Sequence, residues 1–244
     1  MSLIFETQDE FGVISVYDDG KYRILSFAEG DEQSRVQIKS PHVLQHEYTQ
    51  AMLLALMDRT PKRACILGLG GGALVHALAK AISGIHITAV ELRPEIVAIA
   101  EEFFRLPKSK RIEVITQDAI EFVHSNKSKK FDILFTDLYQ HFGMDNRVAT
   151  EAFLDDASRQ IKESGMLVLN CWEEHQYQHD LKDSLKQRFN TVTGLDTGCG
   201  NWVVFATNAP HDLNLKQQRD ECEKLSQQLG FPLNKWLNRL EDVE

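Results

Sequence analysis

The chain lacks several features that would assign it to a class of proteins at once. Its 4 cysteines are scattered with no C-x-x-C pair, which indicates neither a zinc site nor a redox-active dithiol. It has no run of Lys and Arg, and its net charge is −9, so the clustered cations that bind nucleic-acid phosphates are missing. No apolar run reaches the roughly 18 residues of a membrane span, and the N-terminus lacks the basic and apolar regions of a signal peptide. We therefore expect a cytoplasmic protein without metal, nucleic-acid or membrane partners.

What the chain does contain is enough apolar sequence for one main domain and a small appendage, with 244 residues that are 43% hydrophobic. Residues 1–40 are typical of a small N-terminal β-hairpin domain. In "GVISVYDDGKYRILSF", Asp19 and Gly20 stand between two apolar segments and favour a two-residue hairpin turn. From Pro41 the apolar residues recur with a period of about 3.6, which predicts a connecting helix over 41–59 with Ser40 as its N-cap.

After residue 59, strand and helix patterns alternate along the chain. The strand patterns are "ACILGLG", "HITAVEL", "RIEVITQD", "FDILFTDLY" and "GMLVLNCW". Apolar strands separated by helices predict an α/β fold, with a doubly wound, mostly parallel sheet over residues 60–210. The segment "FNTVTGLDTGCGNWVVFATN" predicts an antiparallel hairpin at one edge of this sheet. Residues 211–244 are expected to form C-terminal helices.

Polar or glycine residues follow each of the first four strands, at the sheet edge where ligands of open parallel sheets bind. They are the glycine loop 68–72, Glu91, Asp118 and Asp137. The loop fits the pattern G-x-G-x-x-[GA], and Glu91 lies roughly where such folds use an acid to bind ribose hydroxyls. Structural interpretations remain open beside these: the glycines can serve helix packing, and both aspartates can serve as helix N-caps.

The acids favour an adenosine ligand that carries no phosphates. Asp118 suits the amine of adenine, and Glu91 suits the two ribose hydroxyls. The sequence places no Lys or Arg at the four strand ends to neutralise a pyrophosphate. An S-adenosyl compound, whose sulfonium is positively charged, fits this pattern better than a dinucleotide does.

The order of these segments resembles the spermidine synthases (polyamine aminopropyltransferases), which have the AdoMet-dependent methyltransferase type of Rossmann fold. The likeness covers roughly residues 5–210 and includes "QS" at Gln33-Ser34, "EYTQAM", "ILGLGGG", "AVELRPEIV", "TQDAIEF" and "FDILFTDLY". It implies a class I methyltransferase-like sheet with a small N-terminal β domain. It also implies a transferase of polyamine biosynthesis that acts on a small amine, and a homodimer.

Residue roles follow from the same resemblance. Asp137 would be the general base, which the reaction needs because an alkylammonium with a pKa near 10 is almost wholly protonated at neutral pH. AdoMet or decarboxylated AdoMet would be the donor, and no metal is implied. The donor would be bound by Gln33, Gln50, Gly68, Gly70, Gly71, Gly72, Glu91, Asp118 and Ala119. The acceptor amine would be bound by Tyr48, Tyr139 and Gln140.

The chain departs from the family pattern at the positions that bind the two substrates. Members carry an aspartate in the glycine loop, as GGGDGG, where this chain has Gly71. They continue D-S-S-D after the fourth strand, where this chain reads "DLYQ", with Gln140 in place of the second acid. Thr49 replaces a tyrosine, and "TGCGNW" lacks another. Three hypotheses stay open: aminopropyl transfer to a small amine, methyl transfer from AdoMet to a small molecule, and a nucleoside-binding relative without catalysis.

Overall fold

The structure is a computed structural model that describes residues 1–28, 30–127, 129–140, 143–210 and 213–244. The strands are β1 Ser2–Asp9, β2 Gly12–Asp19, β3 Tyr22–Ser26, β4 Ser34–Gln37, β5 Arg63–Leu67, β6 His86–Glu91, β7 Ile112–Thr116, β8 Phe131–Thr136, β9 Tyr139–Gln140, β10 Gly143–Met144, β11 Ile161–Trp172, β12 Thr191–Asp196, β13 Asn201–Thr207 and β14 Glu241–Asp242. The α-helices are α1 Glu47–Met52, α2 Ala73–Ala81, α3 Pro94–Glu102, α4 Ala119–Ser125, α5 Glu151–Gln160, α6 His179–Arg188, α7 Leu215–Leu229 and α8 Asn234–Leu237. Short 3-10 helices span Leu53–Leu56, Asn146–Ala149 and Glu173–Tyr177.

The central sheet has the strand order β14-β12-β13-β11-β8-β5-β6-β7 within the described residues. Strands β11, β8, β5, β6 and β7 pair in parallel. Strands β12 and β13 form an antiparallel hairpin, and β13 also runs antiparallel to β11. The predicted α/β fold with a mostly parallel sheet is confirmed. The hairpin lies near one edge, and the two-residue strand β14 lies outside it.

Both faces of this sheet are buried, which explains the continuous apolar strands in the sequence. In β5, Ala64 and Ile66 pack with α2, α7 and α8 on one face, whereas Cys65 and Leu67 pack with α4, α5 and α6 on the other. All four are at most 1% exposed. Polar side chains that serve a ligand are therefore confined to the strand ends.

A small antiparallel sheet of β1, β2, β3 and β4 packs against α3. The turn between β2 and β3 lies one residue later in the sequence than predicted. Asp19 pairs with Tyr22, which leaves Gly20 and Lys21 in the turn. Gly20 has φ 63°, whereas Asp19 is not among the positive-φ residues. The glycine thus takes the first central position, as in a type II′ turn.

The connecting helix begins later than predicted. Helix α1 starts at Glu47 with His46 at its N-cap, and Ser40 has no capping role. The apolar period that pointed to Pro41 includes Leu44, which is 1% exposed but lies in a non-helical segment. A buried side chain in an irregular segment can imitate helical spacing, and here it did.

A buried ion pair joins the small sheet to the parallel sheet. Arg93, just after β6, donates Nε and Nη2 to the two carboxylate oxygens of Asp9, both at 2.8 Å. Both side chains are 8% exposed, and the guanidinium lies 4.5 Å from the ring centre of Phe27. Burial raises the pKa of Asp9, but the hydrogen bonds and charge of Arg93, together with the hydrogen bond from the N–H of Phe11, lower it below its ordinary value. The pair holds the small sheet over the edge of the large one.

Asp9→Asn is expected to lower the free energy of unfolding by about 3 kcal/mol, because it leaves the charge of Arg93 buried without a counter-charge. Asp18→Asn is the matched control, since Asp18 pairs with Arg23 in the same bidentate way but the two side chains are 34% and 21% exposed. That change is expected to cost about 1 kcal/mol or less. Urea unfolding at pH 7 measures both, and equal losses would contradict the role given to the buried pair.

Candidate active site

A cavity of about 400 Å³ lies at the carboxyl ends of β5, β6, β7 and β8. Side chains from the small sheet and from α1 complete its wall. The predicted site residues on this wall are Gln33, Tyr48, Gly68, Gly70, Glu91, Asp118, Ala119, Asp137 and Tyr139. The structure thus brings together the four strand-end groups that the sequence singled out.

Three predicted donor-binding residues, Gln50, Gly71 and Gly72, are not on this wall, and their roles stay predictions. Gln50 instead donates its amide Nε2 to the carbonyl of Leu44 at 2.8 Å. A Cβ on Gly71 would lie 2.9 Å from the ring of Phe104, and one on Gly72 would lie 2.6 Å from Leu106. Both glycines therefore face the protein interior behind the loop. Gln140 lies in β9, and its side chain falls outside the described part of the structure.

Gly68 brings the glycine loop into contact with the end of β8. It has φ +95°, and a Cβ there would lie 2.1 Å from the carbonyl oxygen of Asp137. Leu67, one residue earlier, accepts a hydrogen bond from the amide N–H of Asp137 at 2.8 Å. Only glycine allows both the φ angle and this approach. Anything bound by the loop consequently lies beside Asp137.

Glu91 anchors the same loop from the neighbouring strand. Its carboxylate accepts hydrogen bonds from the amide N–H of Leu69 and from that of Arg93, both at 3.0 Å. Burial raises the pKa of Glu91, although the backbone hydrogen bonds oppose that rise. On the other side of the loop, Ser34 Oγ accepts from the amide N–H of Gly71 at 2.9 Å. The loop is held in place from two sides.

Asp118 has three hydrogen-bond partners in the structure. Oδ1 accepts hydrogen bonds from the N–H groups of Ile120 and Glu121 and caps α4, so its N-cap interpretation is confirmed. Oδ2 accepts from Arg147 at 2.9 Å. The expectation that no cation stands at the strand ends is therefore wrong. Arg147 comes from the distant 3-10 helix Asn146–Ala149, and strand patterns alone could not have placed it there.

Asp137 has only neutral partners among the described residues. Asn170 Nδ2 donates to Oδ1 at 2.9 Å, and the hydroxyl of Tyr48 donates to Oδ2 at 3.3 Å. Burial raises the pKa of Asp137 to about 6, and the two hydrogen bonds limit that rise. The carboxylate is thus a stronger base than an exposed aspartate but remains ionised at neutral pH.

Asn170 and Asn201 extend this network and were missed in the sequence. Asn201 Nδ2 donates to Asn170 Oδ1 and to the hydroxyl oxygen of Tyr139, both at 3.1 Å. Asn170 is 1% exposed inside residues 166–172, the otherwise apolar part of strand β11. A buried amide in an apolar strand needs a polar partner, and that was the available signal.

A second cavity of about 540 Å³ adjoins the first. Gln33, His46, Tyr48 and Tyr139 line both cavities. The ring centres of Tyr48 and Tyr139 lie 6.4 Å apart, and those of Tyr139 and Trp172 lie 5.8 Å apart. This aromatic passage leads from the second cavity to Asp137.

Acidic residues predominate in both cavities. The wall of the first contains the acids Glu10, Glu91, Asp118, Asp137 and Asp145, and its two cations, Arg93 and Arg147, are both paired with aspartates. The described wall of the second contains Asp31, Glu32 and Glu47 and neither Lys nor Arg. Glu32 and Glu47 are ion-paired with Arg35 and Lys235, whereas Asp31 accepts hydrogen bonds from neutral donors. Such walls favour cationic ligands.

Two further searches over the described residues were negative. No group of three or more His, Cys, Asp or Glu side chains is arranged so that it could hold a metal ion. No helix in this part of the chain is long and apolar enough to span a bilayer.

Residues 45–214 match the family described as the spermine/spermidine synthase domain. A polyamine aminopropyltransferase of Neisseria meningitidis is 25% identical to this chain over 233 residues. The match covers 93% of this chain and 88% of that protein.

Solved structures share the fold. A probable spermidine synthase from Corynebacterium glutamicum superposes with a TM-score of 0.79 at 18% identity, covering 100% of this chain and 91% of that one. Human methyltransferase-like protein 13 in complex with SAH superposes with a TM-score of 0.67 at 20% identity, covering 77% and 94% of the two chains. These likenesses confirm the predicted methyltransferase-like fold.

The raised pKa of Asp137 predicts a pH-dependent difference in stability between the wild type and Asp137→Asn. Between about pH 4 and pH 6 the native state binds more protons at Asp137 than the unfolded chain does, so the wild type loses stability as pH rises. The stability of Asp137→Asn relative to the wild type should therefore increase by about 2 kcal/mol from pH 4 to pH 7. Urea unfolding at a series of pH values measures it.

Asp132→Asn is the control with the opposite sign. Burial raises the pKa of Asp132, but hydrogen bonds from Lys162 and from the N–H groups of Arg63 and Lys62 lower it below its ordinary value. The wild type gains stability from this group as pH rises, so the deficit of Asp132→Asn should grow with pH. If the stability of both variants relative to the wild type changed with pH in the same direction, burial would not control the pKa of Asp137.

Proposed function

Because the chain belongs to the spermine/spermidine synthase family, we propose that it transfers an aminopropyl group from decarboxylated AdoMet to a small amine in polyamine biosynthesis. The observation that carries this proposal is the position of Asp137. Its carboxylate, with neutral partners, lies on the wall of a nucleoside-sized cavity. The aromatic passage joins this cavity to the second one, whose wall is acidic. A general base for a cationic nucleophile needs that location.

The donor would occupy the first cavity. Gly68 and Gly70 present loop backbone on its wall. Glu91, at the end of β6, and Ala119, at the start of α4, line it as well. Asp118 would receive the adenine amine once Arg147 gives up its hydrogen bond to Oδ2. The excess of acids on the wall supports a donor with both a sulfonium and an ammonium. Decarboxylated AdoMet carries both charges and no carboxylate.

The acceptor amine would enter through the second cavity. Tyr48 and Tyr139 line the passage, and burial raises the pKa of each hydroxyl, so both stay neutral at pH 7. Asp31 offers a carboxylate with no cation partner among its described contacts. An alkylammonium would therefore meet aromatic faces and negative charge along its path.

The chemistry is an in-line displacement. Asp137 takes a proton from the attacking ammonium, and the freed electron pair on nitrogen forms a bond to the propyl carbon beside the sulfonium. The bond from that carbon to sulfur breaks, and its electron pair neutralises the sulfonium to a thioether. The thioether needs no acid assistance, so the remaining task of the site is to position the two substrates.

Methyl transfer from AdoMet is a second candidate function. The observation that favours it is the fold shared with the human methyltransferase-like protein 13 that was solved with SAH. The loop N–H groups beside Gly70 would then face a donor carboxylate. The acids on the cavity wall favour the first candidate over this one.

Thermal unfolding with different ligands separates these functions. We expect decarboxylated AdoMet and methylthioadenosine to raise the melting temperature, by a few degrees at about 100 times their Kd, where the stabilisation is roughly 2.7 kcal/mol. A larger rise with AdoMet than with its decarboxylated form would favour methyl transfer. A rise with NAD alone would refute the adenosyl ligand.

Asp137→Asn is expected to bind methylthioadenosine as the wild type does but to lose at least about 100-fold in turnover, because an amide cannot accept the proton. Product analysis with decarboxylated AdoMet and a panel of mono- and diamines measures the transfer. Asp145→Asn is the control, since Asp145 is also a wall acid but pairs with Arg147. Full activity of Asp137→Asn would remove Asp137 from the base role, and no turnover by the wild type with any amine would refute the transferase proposal.

A further inference from the structure

We propose that Asn201 is a positioning residue which, through Asn170, fixes the carboxylate oxygen of Asp137 that receives the proton of the acceptor amine. This inference rests on the proposed amine transfer and adds to it a role for two residues outside the family motifs described above. It follows from the direction of each hydrogen bond in the network.

The direction of the network is set by the carboxylate at its end. An ionised Asp137 can only accept hydrogen bonds, so Asn170 must turn Nδ2 towards it, at 2.9 Å from Oδ1. Asn170 Oδ1 then faces Asn201, which must present Nδ2, at 3.1 Å. Asn170 is 1% exposed, so an unpaired amide oxygen there would be costly. Asn201 therefore keeps Asn170 from turning over.

Strand pairing fixes this arrangement. In the antiparallel ladder of β11 and β13, Asn170 lies opposite Val203, and Asn201 lies opposite Trp172. The two asparagines are thus diagonal neighbours on one face of the sheet, within side-chain reach. The backbone holds both amides at the edge next to Asp137.

The consequence is that the two oxygens of Asp137 are not equivalent. Oδ1 holds the shorter bond, from Asn170, whereas Oδ2 holds only the bond from Tyr48, at 3.3 Å. The proton released by the ammonium would form its O–H bond at Oδ2, while the electron pair stays on the amine nitrogen. The Tyr48 hydroxyl can then turn to accept from the new O–H group. The amide of Asn201 also donates to the hydroxyl oxygen of Tyr139. The proton of the Tyr139 hydroxyl therefore points away from Asn201.

The two side chains that donate to Asp137, Asn170 and Tyr48, do not titrate near neutral pH, whereas burial lowers the pKa of His46, whose ring stacks on that of Tyr48 at 5.7 Å. Tyr48 faces Asp137 from α1 and Tyr139 from β9, and both hydroxyls have raised pKa values because of burial. The charges of Cys171 and Glu174 also raise the pKa of Tyr139. Burial raises the pKa of the Cys171 thiol to about 12. A change in the titration of Asp137 can therefore be followed directly.

The test compares Asn201→Leu with Asn208→Leu. Asn208 directly follows the same strand and is exposed at its far end, so it is a matched control. The carboxyl carbon of Asp137 is titrated by NMR in protein labelled with 13C-aspartate, and its signal is assigned by its loss in Asp137→Asn. In Asn201→Leu we expect the pKa of Asp137 to rise by about one pH unit, because Asn170 is no longer held as a donor. The acidic limb of the kcat profile should move equally, with the Kd of methylthioadenosine unchanged. Asn208→Leu should titrate as the wild type does.

A double-mutant cycle tests whether Asn201 acts through Asn170. Asn170→Leu should raise the pKa of Asp137 by itself, and adding Asn201→Leu should raise it no further. A wild-type titration in Asn201→Leu would overturn the proposal, and so would an additional equal rise in the Asn170→Leu background. If thermal melting shows that Asn201→Leu does not fold, Asn201→Ser, whose hydroxyl is too short to span both bonds, takes its place with the same expectations. If the wild type transfers no group to any amine, the proposed function fails, but the NMR titration still decides this inference.

Discussion

The burial of the Asp137 carboxylate among neutral donors is the constraint on which the rest of the site depends. A carboxylate with an ordinary pKa near 4 is a weak base for an ammonium with a pKa near 10, and a neighbouring cation would weaken it further. Burial raises the pKa of Asp137 to about 6, and Asn170 and Tyr48 supply the hydrogen bonds that make the buried charge tolerable. This need explains the presence of Asn170 in the otherwise apolar residues 166–172 of β11.

The glycine loop is tied to the same residue by backbone contact. Strands β5 and β8 are neighbours in the sheet, so the loop after β5 and the residue after β8 emerge side by side. Gly68 has no side chain where the carbonyl of Asp137 passes, and Glu91 holds the loop from the next strand. Sheet order thus places the loop next to Asp137, and in the proposed function this would bring the donor to the proton acceptor.

The groups predicted from sequence are those that depend on local pattern. Buried parallel strands read as apolar runs, and their ends meet at one edge, so the loop, Glu91, Asp118 and Asp137 could be placed together. Asn201 and Arg147 could not, because each reaches its partner through tertiary contacts between segments about 30 residues apart. The start of α1 was misplaced for a related reason, since burial of Leu44 imitated a helical period.

The missing acid at Gly71 takes on a different meaning in three dimensions. By resemblance, an aspartate in the loop would hold the ammonium of a decarboxylated donor, and this chain has glycine there. A Cβ at position 71 would lie 2.9 Å from the ring of Phe104 and 3.1 Å from the Cβ of Ser34, which lines the cavity. Packing of the loop against Phe104 is therefore sufficient to favour glycine at 71, whatever charge the donor carries. In the proposed function the donor's charge would be selected by the carboxylates on the described wall, where five acids face two cations, Arg93 and Arg147, that are both paired with aspartates.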